Sequence, residues 1–338
     1  MHVWLLSNKK NKKYPPGPPG FPIVGYLPYL TKEPYKKLTE LSKIYGPVYS
    51  VRFGSTNIIV ITDFELMKEA FWKDEFMGRP PTLPVELSKE TIAPLLLKGN
   101  KRHEPLGFNN VRDVIDGFLL EMQKRKNGPK STFQKEILVD LSRFLFGAGS
   151  ETVRVTLDWM LFTCVARPEI QEKIHAEIDE VIGRERFPTW EDHLNMPFTE
   201  AALTEVMRWK SIVPINVPHY TLEDTELNGY FIPKHTHVFS ILWAVNFNEK
   251  LWGKDVQEYK PERFLSEDGK KVVKPEYTIT FSVGKRACPG KILAEIETFL
   301  YLVAILQKFE LSAPPGQTIS LEGKLGTSLR PPKQFVFD

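Results

Sequence analysis

The chain has 338 residues, 42% hydrophobic and 26% charged, enough for one large or two ordinary globular domains around a sizeable core. Lys and Arg number 45 against 42 Asp and Glu, a formal charge of +3, and this near-balance argues against a protein built to bind nucleic acid. Two cysteines, Cys164 and Cys288, make neither a disulfide framework nor a cysteine-rich zinc module, and they fit a reducing, cytosol-facing compartment.

The first apolar stretch, Val3 to Leu6, is far shorter than the ~18 residues a membrane helix needs. Lys9, Lys10, Lys12 and Lys13 follow, and then Pro15-Pro16-Gly17-Pro18-Pro19-Gly20. A basic, then proline-rich junction suits a stiff spacer behind a membrane anchor, but the anchor itself is missing here, and a plain exposed arm fits equally well. Residues 1–20 therefore read as an arm with a Pro/Gly hinge, and residues 21–338 as a single domain.

Val48 to Phe53 and Ile58 to Thr62 alternate and are β-branched, which predicts a hairpin turning at Gly54-Ser55-Thr56-Asn57. Apolar periodicity predicts a long helix from about Phe133 to Ala166. Arg143, Glu151, Arg154 and Asp158 interrupt it, so it is no membrane span. Pro168 restarts helical pattern through Ile182, and Gly183 ends it. Thr199 to Lys210 reads as a helix, Pro214 and Pro218 force extended chain, and short strands follow at Tyr230 to Ile232 and His237 to Ile241. Ile292 to Phe309 is the last helix. The class is mainly α with a small β region, and there is no internal repeat.

Cys164 sits in an apolar stretch and reads as an inert buried thiol. Cys288 stands in Phe281-Ser282-Val283-Gly284-Lys285-Arg286-Ala287-Cys288-Pro289-Gly290, a glycine-bearing loop that delivers one thiol to the start of a helix. Backbone N–H groups and the positive end of a helix dipole stabilise a thiolate there. Gly284 and Gly290 permit close backbone approach to a flat ligand, and Arg286 offers a fork of donors to a carboxylate. A lone cysteine is usually structural, yet this spacing should arise by chance on the order of once in ten thousand sequences of this length.

Two further constellations have bland alternatives. Glu205 and Arg208 share a helix face, and such a pair is ordinarily a solvated ion pair worth a few tenths of a kcal/mol. Ala148-Gly149-Ser150-Glu151-Thr152 puts glycine inside a helix, at a cost of roughly 0.5–1 kcal/mol. Gly147 and Gly149 then signal either close approach by a ligand, or a distortion, or simply tight helix packing.

The cysteine loop resembles that of the cytochromes P-450, and the other segments match the same family in order over nearly the whole chain, with animal microsomal members, particularly arthropod ones, the most similar. The resemblance implies a truncated cytochrome P-450 fold and haem b, with the Cys288 thiolate as its axial iron ligand. It gives Phe281, Gly284, Gly290, Arg286 and His219 cofactor-binding duties, the last two towards a propionate. Glu205, Arg208 and Arg263, the last within Pro261-Glu262-Arg263-Phe264, become a buried charged triad. Thr152 and Glu151 become the pair that handles protons during dioxygen activation. The implied reaction is NADPH-dependent monooxygenation of a small lipophilic substrate, with a flavoprotein reductase as partner, at the cytosolic face of the endoplasmic reticulum membrane.

One departure matters. Between Gly78-Arg79-Pro80 and Asn110-Val111-Arg112-Asp113 the chain resembles a splice across a large gap, from about 80 to 110. The helix with a Trp-x-x-x-Arg propionate clamp and the two helices that roof the substrate pocket have no counterpart. None of the seven tryptophans has arginine four positions on. A catalytically impaired or non-catalytic product that holds haem weakly or not at all is therefore the alternative to a working monooxygenase. A simple haem carrier fits least, since it needs no Ala-Gly-x-Glu-Thr element.

Overall fold

The computed structural model describes residues 13–81, 111–125, 132–326 and 328–332. The stretch Val3 to Leu6, almost all of the 80–110 splice and the C-terminal residues from Lys333 lie outside them. The chain divides into two compact units, residues 1–81 with 155–338, and residues 82–154. Helix dominates, with a small sheet region, as the composition of elements predicts.

In the larger unit, α1 (Pro34–Tyr45) opens with proline in its first turn, and the chain leaves it through Gly46 at φ +91°, the asymmetry expected of helix ends. Strands β1 (Val48–Phe53) and β2 (Thr56–Ile61) pair antiparallel from Val48↔Ile61 to Phe53↔Thr56. The hairpin therefore turns at Gly54-Ser55 alone, because the β-branched Thr56 extends the ladder beyond the expected Ile58. Helix α2 (Phe64–Trp72) follows, its first turn capped by the Asp63 carboxylate, which accepts from the Leu66 N–H at 3.1 Å.

The two faces of the hairpin serve different cores, as a period of two requires. Val48, Ile59 and Ile61 pack with Phe64, Met67, Ala70 and Phe71. Tyr49, Val51, Ile58 and Val60 pack with Tyr35, Leu38 and Leu41. Strands β3 (His219–Tyr220), β4 (Thr225–Leu227), β5 (Tyr230–Ile232) and β6 (His237–Ser240) come later in the chain. Four strands form one sheet in the order β1-β2-β6-β3, with β2 and β6 parallel and β3 antiparallel to β6.

The helical core is built from α4 (Lys135–Ala166), α5 (Pro168–Val181), α6 (Pro197–Lys210) and α9 (Lys291–Lys308). Val155, Trp159, Met160 and Cys164 meet Ile170, Ile174 and Ile178, Ala202, Leu203 and Val206, and Phe299, Leu302, Val303 and Leu306. Helix α6 starts earlier than Thr199. Its Pro197 takes the first turn, and the Glu177 carboxylate on α5 accepts from the N–H groups of Phe198 and Thr199 at 2.7 and 2.8 Å. Short helices α7 (Leu242–Asn246) and α8 (Glu249–Trp252) lead into the segment before the cysteine loop, and β7 (Lys324–Leu325) pairs with β8 (Leu329–Arg330) near the C-terminus.

The smaller unit contains α3 (Val114–Lys124), capped by Asp113, which accepts from Ile115 and Asp116 at 2.9 and 3.0 Å. It also contains α4 as far as Arg154. Among the described residues no helix is long and apolar enough to cross a membrane.

Candidate functional site

The cysteine loop is folded on itself. Ser282 N–H donates to Ile279, Ala287 N–H to Gly284, and Cys288 N–H to the Phe281 carbonyl at 2.9 Å. These bonds present Cys288, exposed, just ahead of Gly290, the N-cap of α9. The thiol thus faces the end of a helix whose first N–H groups have no partner within the helix. Cys164, by contrast, is buried, and burial pushes its thiol up to about 12, so it stays protonated and inert.

The two glycines of the loop have different duties. Gly284 lies at φ +82°, and a Cβ there would stand 2.2 Å from the carbonyl oxygen of Phe71. That carbonyl accepts the Lys285 N–H at 2.9 Å, so the glycine answers to the backbone of α2. The close approach it permits here is that of loop backbone to helix backbone. At Gly290, among the described residues, a Cβ would touch only the Cys288 Sγ, at 3.9 Å. Phe281 lines a cavity of about 240 Å³ together with Leu203, Met207 and Phe299.

A cationic cluster stands on the same unit. His219 on β3 is buried, its ring stacked on Phe71 with centroids 3.9 Å apart, and its Nδ1 lies 2.8 Å from the Phe76 carbonyl. Burial first, then the nearby Arg79 and Arg286 guanidinium groups, push His219 down to about 4, against the opposing pull of the Phe76 bond. Its Nε2 is buried and, among the described residues, has no hydrogen-bond partner. Arg286 Nε donates to Met77 O at 3.1 Å, and Arg79 Nη1 donates to Val217 O and Pro218 O at 3.1 and 3.0 Å. Burial and then Arg286 hold Arg79 below its ordinary value, so the two guanidinium groups feel each other.

Arg79 is absent from the sequence-derived candidates. Only the tertiary bridge between Gly78 and Tyr220, with Tyr220 N–H donating to Gly78 O at 2.9 Å, brings it beside His219. Nothing in the local sequence signals that pairing.

Glu205, Arg208 and Arg263 come together. Arg208 Nε and Nη2 donate to the two Glu205 oxygens at 2.6 and 2.8 Å, and both side chains are fully buried. Arg263 Nε reaches Glu205 Oε1 at 2.9 Å. Arg208 also donates to the carbonyls of Asn246, Val256 and Glu258. This is a satisfied buried network that ties α6 to the chain around α7 and α8, and not a solvated surface pair.

Thr152 and Glu151 lie on α4 within the smaller unit. The Thr152 hydroxyl donates to the Ala148 carbonyl at 2.7 Å and Glu151 pairs with Arg154 at 3.0 Å. The helix runs unbroken through Gly147 and Gly149, where a methyl group would meet nothing within 4 Å among the described residues.

Comparison with known proteins agrees over most of the chain. The sequence model of the cytochrome P-450 family matches residues 15–104 and 89–337. Cytochrome P-450 18a1 of Drosophila melanogaster is 28% identical over 471 residues, covering 97% of this chain and 87% of the relative. Cytochrome P-450 1A2 of Felis catus is 41% identical over 476 residues, covering 98% and 92%. Cytochrome P-450 1A2 of Homo sapiens is 41% identical over 232 residues, covering 68% of this chain but only 45% of the relative. The first two alignments are longer than the 338 residues of the chain, so a long stretch of those relatives has no counterpart in it. The chain belongs to the cytochrome P-450 family, a family of haem-thiolate monooxygenases.

Proposed function

We propose that the chain holds haem b through the Cys288 sulfur and takes part in NADPH-driven insertion of one oxygen atom into a small lipophilic substrate. The exposed thiol, aimed by a self-closed loop at the N-terminus of α9, is the observation that carries this reading. Two features fit the cofactor. Among the described residues, His219 Nε2 is buried without a partner beside two guanidinium groups, and space remains at Gly290 next to Sγ.

Bound haem would supply the redox chemistry, an iron made electron-rich by its sulfur ligand. The residues of the chain do the rest. The first N–H groups of α9, which have no partner within the helix, would favour an anionic sulfur ligand once haem is bound. Arg286, His219 and Arg79 suit the propionates, since charge-assisted hydrogen bonds to carboxylates are the strong ones. Glu205, Arg208 and Arg263 hold α6 to the chain around α7 and α8. Thr152 and Glu151 are the candidates for moving protons. Electrons would come from an NADPH-dependent flavoprotein reductase, with the chain at the cytosolic face of the endoplasmic reticulum membrane.

The long unmatched stretch favours a second reading, in which the chain is an impaired member of its family. Without a Trp-x-x-x-Arg clamp two propionate donors are gone, and each charge-assisted bond is worth roughly 1.5–3 kcal/mol. A pocket without its roof helices would also admit water. Reconstitution with haem, a microsomal reductase and NADPH separates the two. Full haem occupancy with product matching NADPH consumed supports the working enzyme, and low occupancy with peroxide released supports the impaired one.

A further inference from the structure

We infer that His219 is a proton-accepting clamp: a carboxylate that enters beside Arg79 and Arg286 is bound together with one proton, taken from solvent onto Nε2. This deepens the haem reading above and rests on it, since the carboxylate in question is a porphyrin propionate.

The argument starts from the Phe76 carbonyl, which can only accept. With Nδ1 at 2.8 Å from it, the ring must carry its hydrogen on Nδ1. A neutral imidazole has one N–H, so Nε2 presents a bare lone pair, and that buried atom has no partner among the described residues. A half-turn of the ring would keep the stack on Phe71 but put Cδ2 where Nδ1 stands, so it is the bond to the Phe76 carbonyl that fixes the ring.

The charged groups acting on the ring are Arg79, from the chain following α2, and Arg286, from the cysteine loop. Across the sheet β6 places Val238 opposite His219, and His237 packs edge-on against the neighbouring Tyr220. Nearby, Lys285 and Asp74 already neutralise each other at 2.6 Å. Among the described residues no carboxylate pairs with Arg79 or Arg286, so the cluster carries two positive charges and a ring held neutral by burial and by those charges.

A carboxylate changes both terms. It cancels the guanidinium field that opposes protonation, and it sets its own lone pairs against the lone pair of Nε2. A proton between them turns that repulsion into a charge-assisted hydrogen bond. The balance is one imidazole, one solvent proton and one carboxylate giving an imidazolium–carboxylate pair, with no change of oxidation state. Affinity should therefore fall as pH rises, by up to about tenfold per unit, between the free ring's value near 4 and its raised value in the complex.

Iron-free protoporphyrin IX is the probe, because it has the propionates but cannot engage Cys288, whose own proton would confuse the count. Titration calorimetry of the full chain in buffers of different ionisation enthalpy reads the protons taken up. The expected result is uptake approaching one proton per porphyrin by the wild type, with affinity falling as pH rises. The dimethyl ester of the porphyrin should take up none, a control that needs no variant to fold. His219→Gln, whose amide donates without gaining charge, should bind protoporphyrin with a flat pH profile. Binding of protoporphyrin with no more proton uptake than the ester overturns the clamp while leaving the haem reading intact. Failure of protoporphyrin and of haem to bind at any pH overturns both.

Discussion

The Cys288 N–H donates to the carbonyl oxygen of Phe281 at 2.9 Å, so the loop that carries the thiol is closed by its own leading aromatic residue. The sulfur is positioned by backbone bonds and by the start of α9. Changes to the Cys288 side chain should consequently leave the loop intact, which makes it the cleanest residue to probe.

Gly284 is the residue on which that loop turns. At φ +82°, with Phe71 O in the way of any Cβ, Gly284→Ala suffers both backbone strain and a clash with backbone. A loss of roughly 2 kcal/mol or more is expected, read as a lowered urea midpoint at unchanged slope. Gly290→Ala, with only Sγ at 3.9 Å, should cost far less in the absence of cofactor. Equal costs at the two glycines would contradict the assignment of different duties.

The Glu205 network gives the largest stability effect. Removing one partner of a buried pair typically costs roughly 3–5 kcal/mol, because the other charge is stranded. Arg208→Ala takes from the buried Glu205 its two-pronged partner, leaving Arg263 alone to balance it, and strips the buried Asn246 and Val256 carbonyls of a donor, so it should abolish soluble, folded expression. A variant that melts like the wild type would show that the network contributes nothing.

Lys210 supplies a pH test. Its ammonium is buried, donates to Leu321 O at 2.8 Å, and lies 3.4 and 4.3 Å from the ring centres of Trp209 and Trp159. Burial, with Arg167 nearby, pushes it down to about 7, while the two indole faces favour the charged form. The unfolded chain holds this proton up to its ordinary 10.5. Between those values the unfolded state binds more protons, so stability should rise with pH, at most by about 1.4 kcal/mol per unit. Lys210→Met should remove that rise, as urea denaturation across the window will show. The same slope in both proteins would mean that Lys210 does not titrate there.

Much of this fold is legible in the sequence because its signals are local. The periodicity of Ile170, Ile174 and Ile178 and the alternation along β1 place those elements within a few residues. Helices α2 and α3 go unread in the sequence, and the structure shows each capped by an aspartate, Asp63 and Asp113. What is illegible depends on partners far along the chain. The start of α6 is set by Glu177 on another helix, the glycine at 284 by the backbone of Phe71, and the place of Arg79 by a bridge to Tyr220. The cysteine loop is legible through residue spacing. The charge of His219 is not, since it follows from burial and from two arginines that only the fold brings near.

The central claim is that Cys288 is the iron ligand, and the ferrous–carbonyl spectrum of the haem-reconstituted chain tests it most directly. The account predicts a red-shifted, thiolate-type Soret band for the wild type and its loss in Cys288→Ala and Cys288→His, with Cys164 left untouched in each. Persistence of the thiolate-type band after either substitution would contradict it.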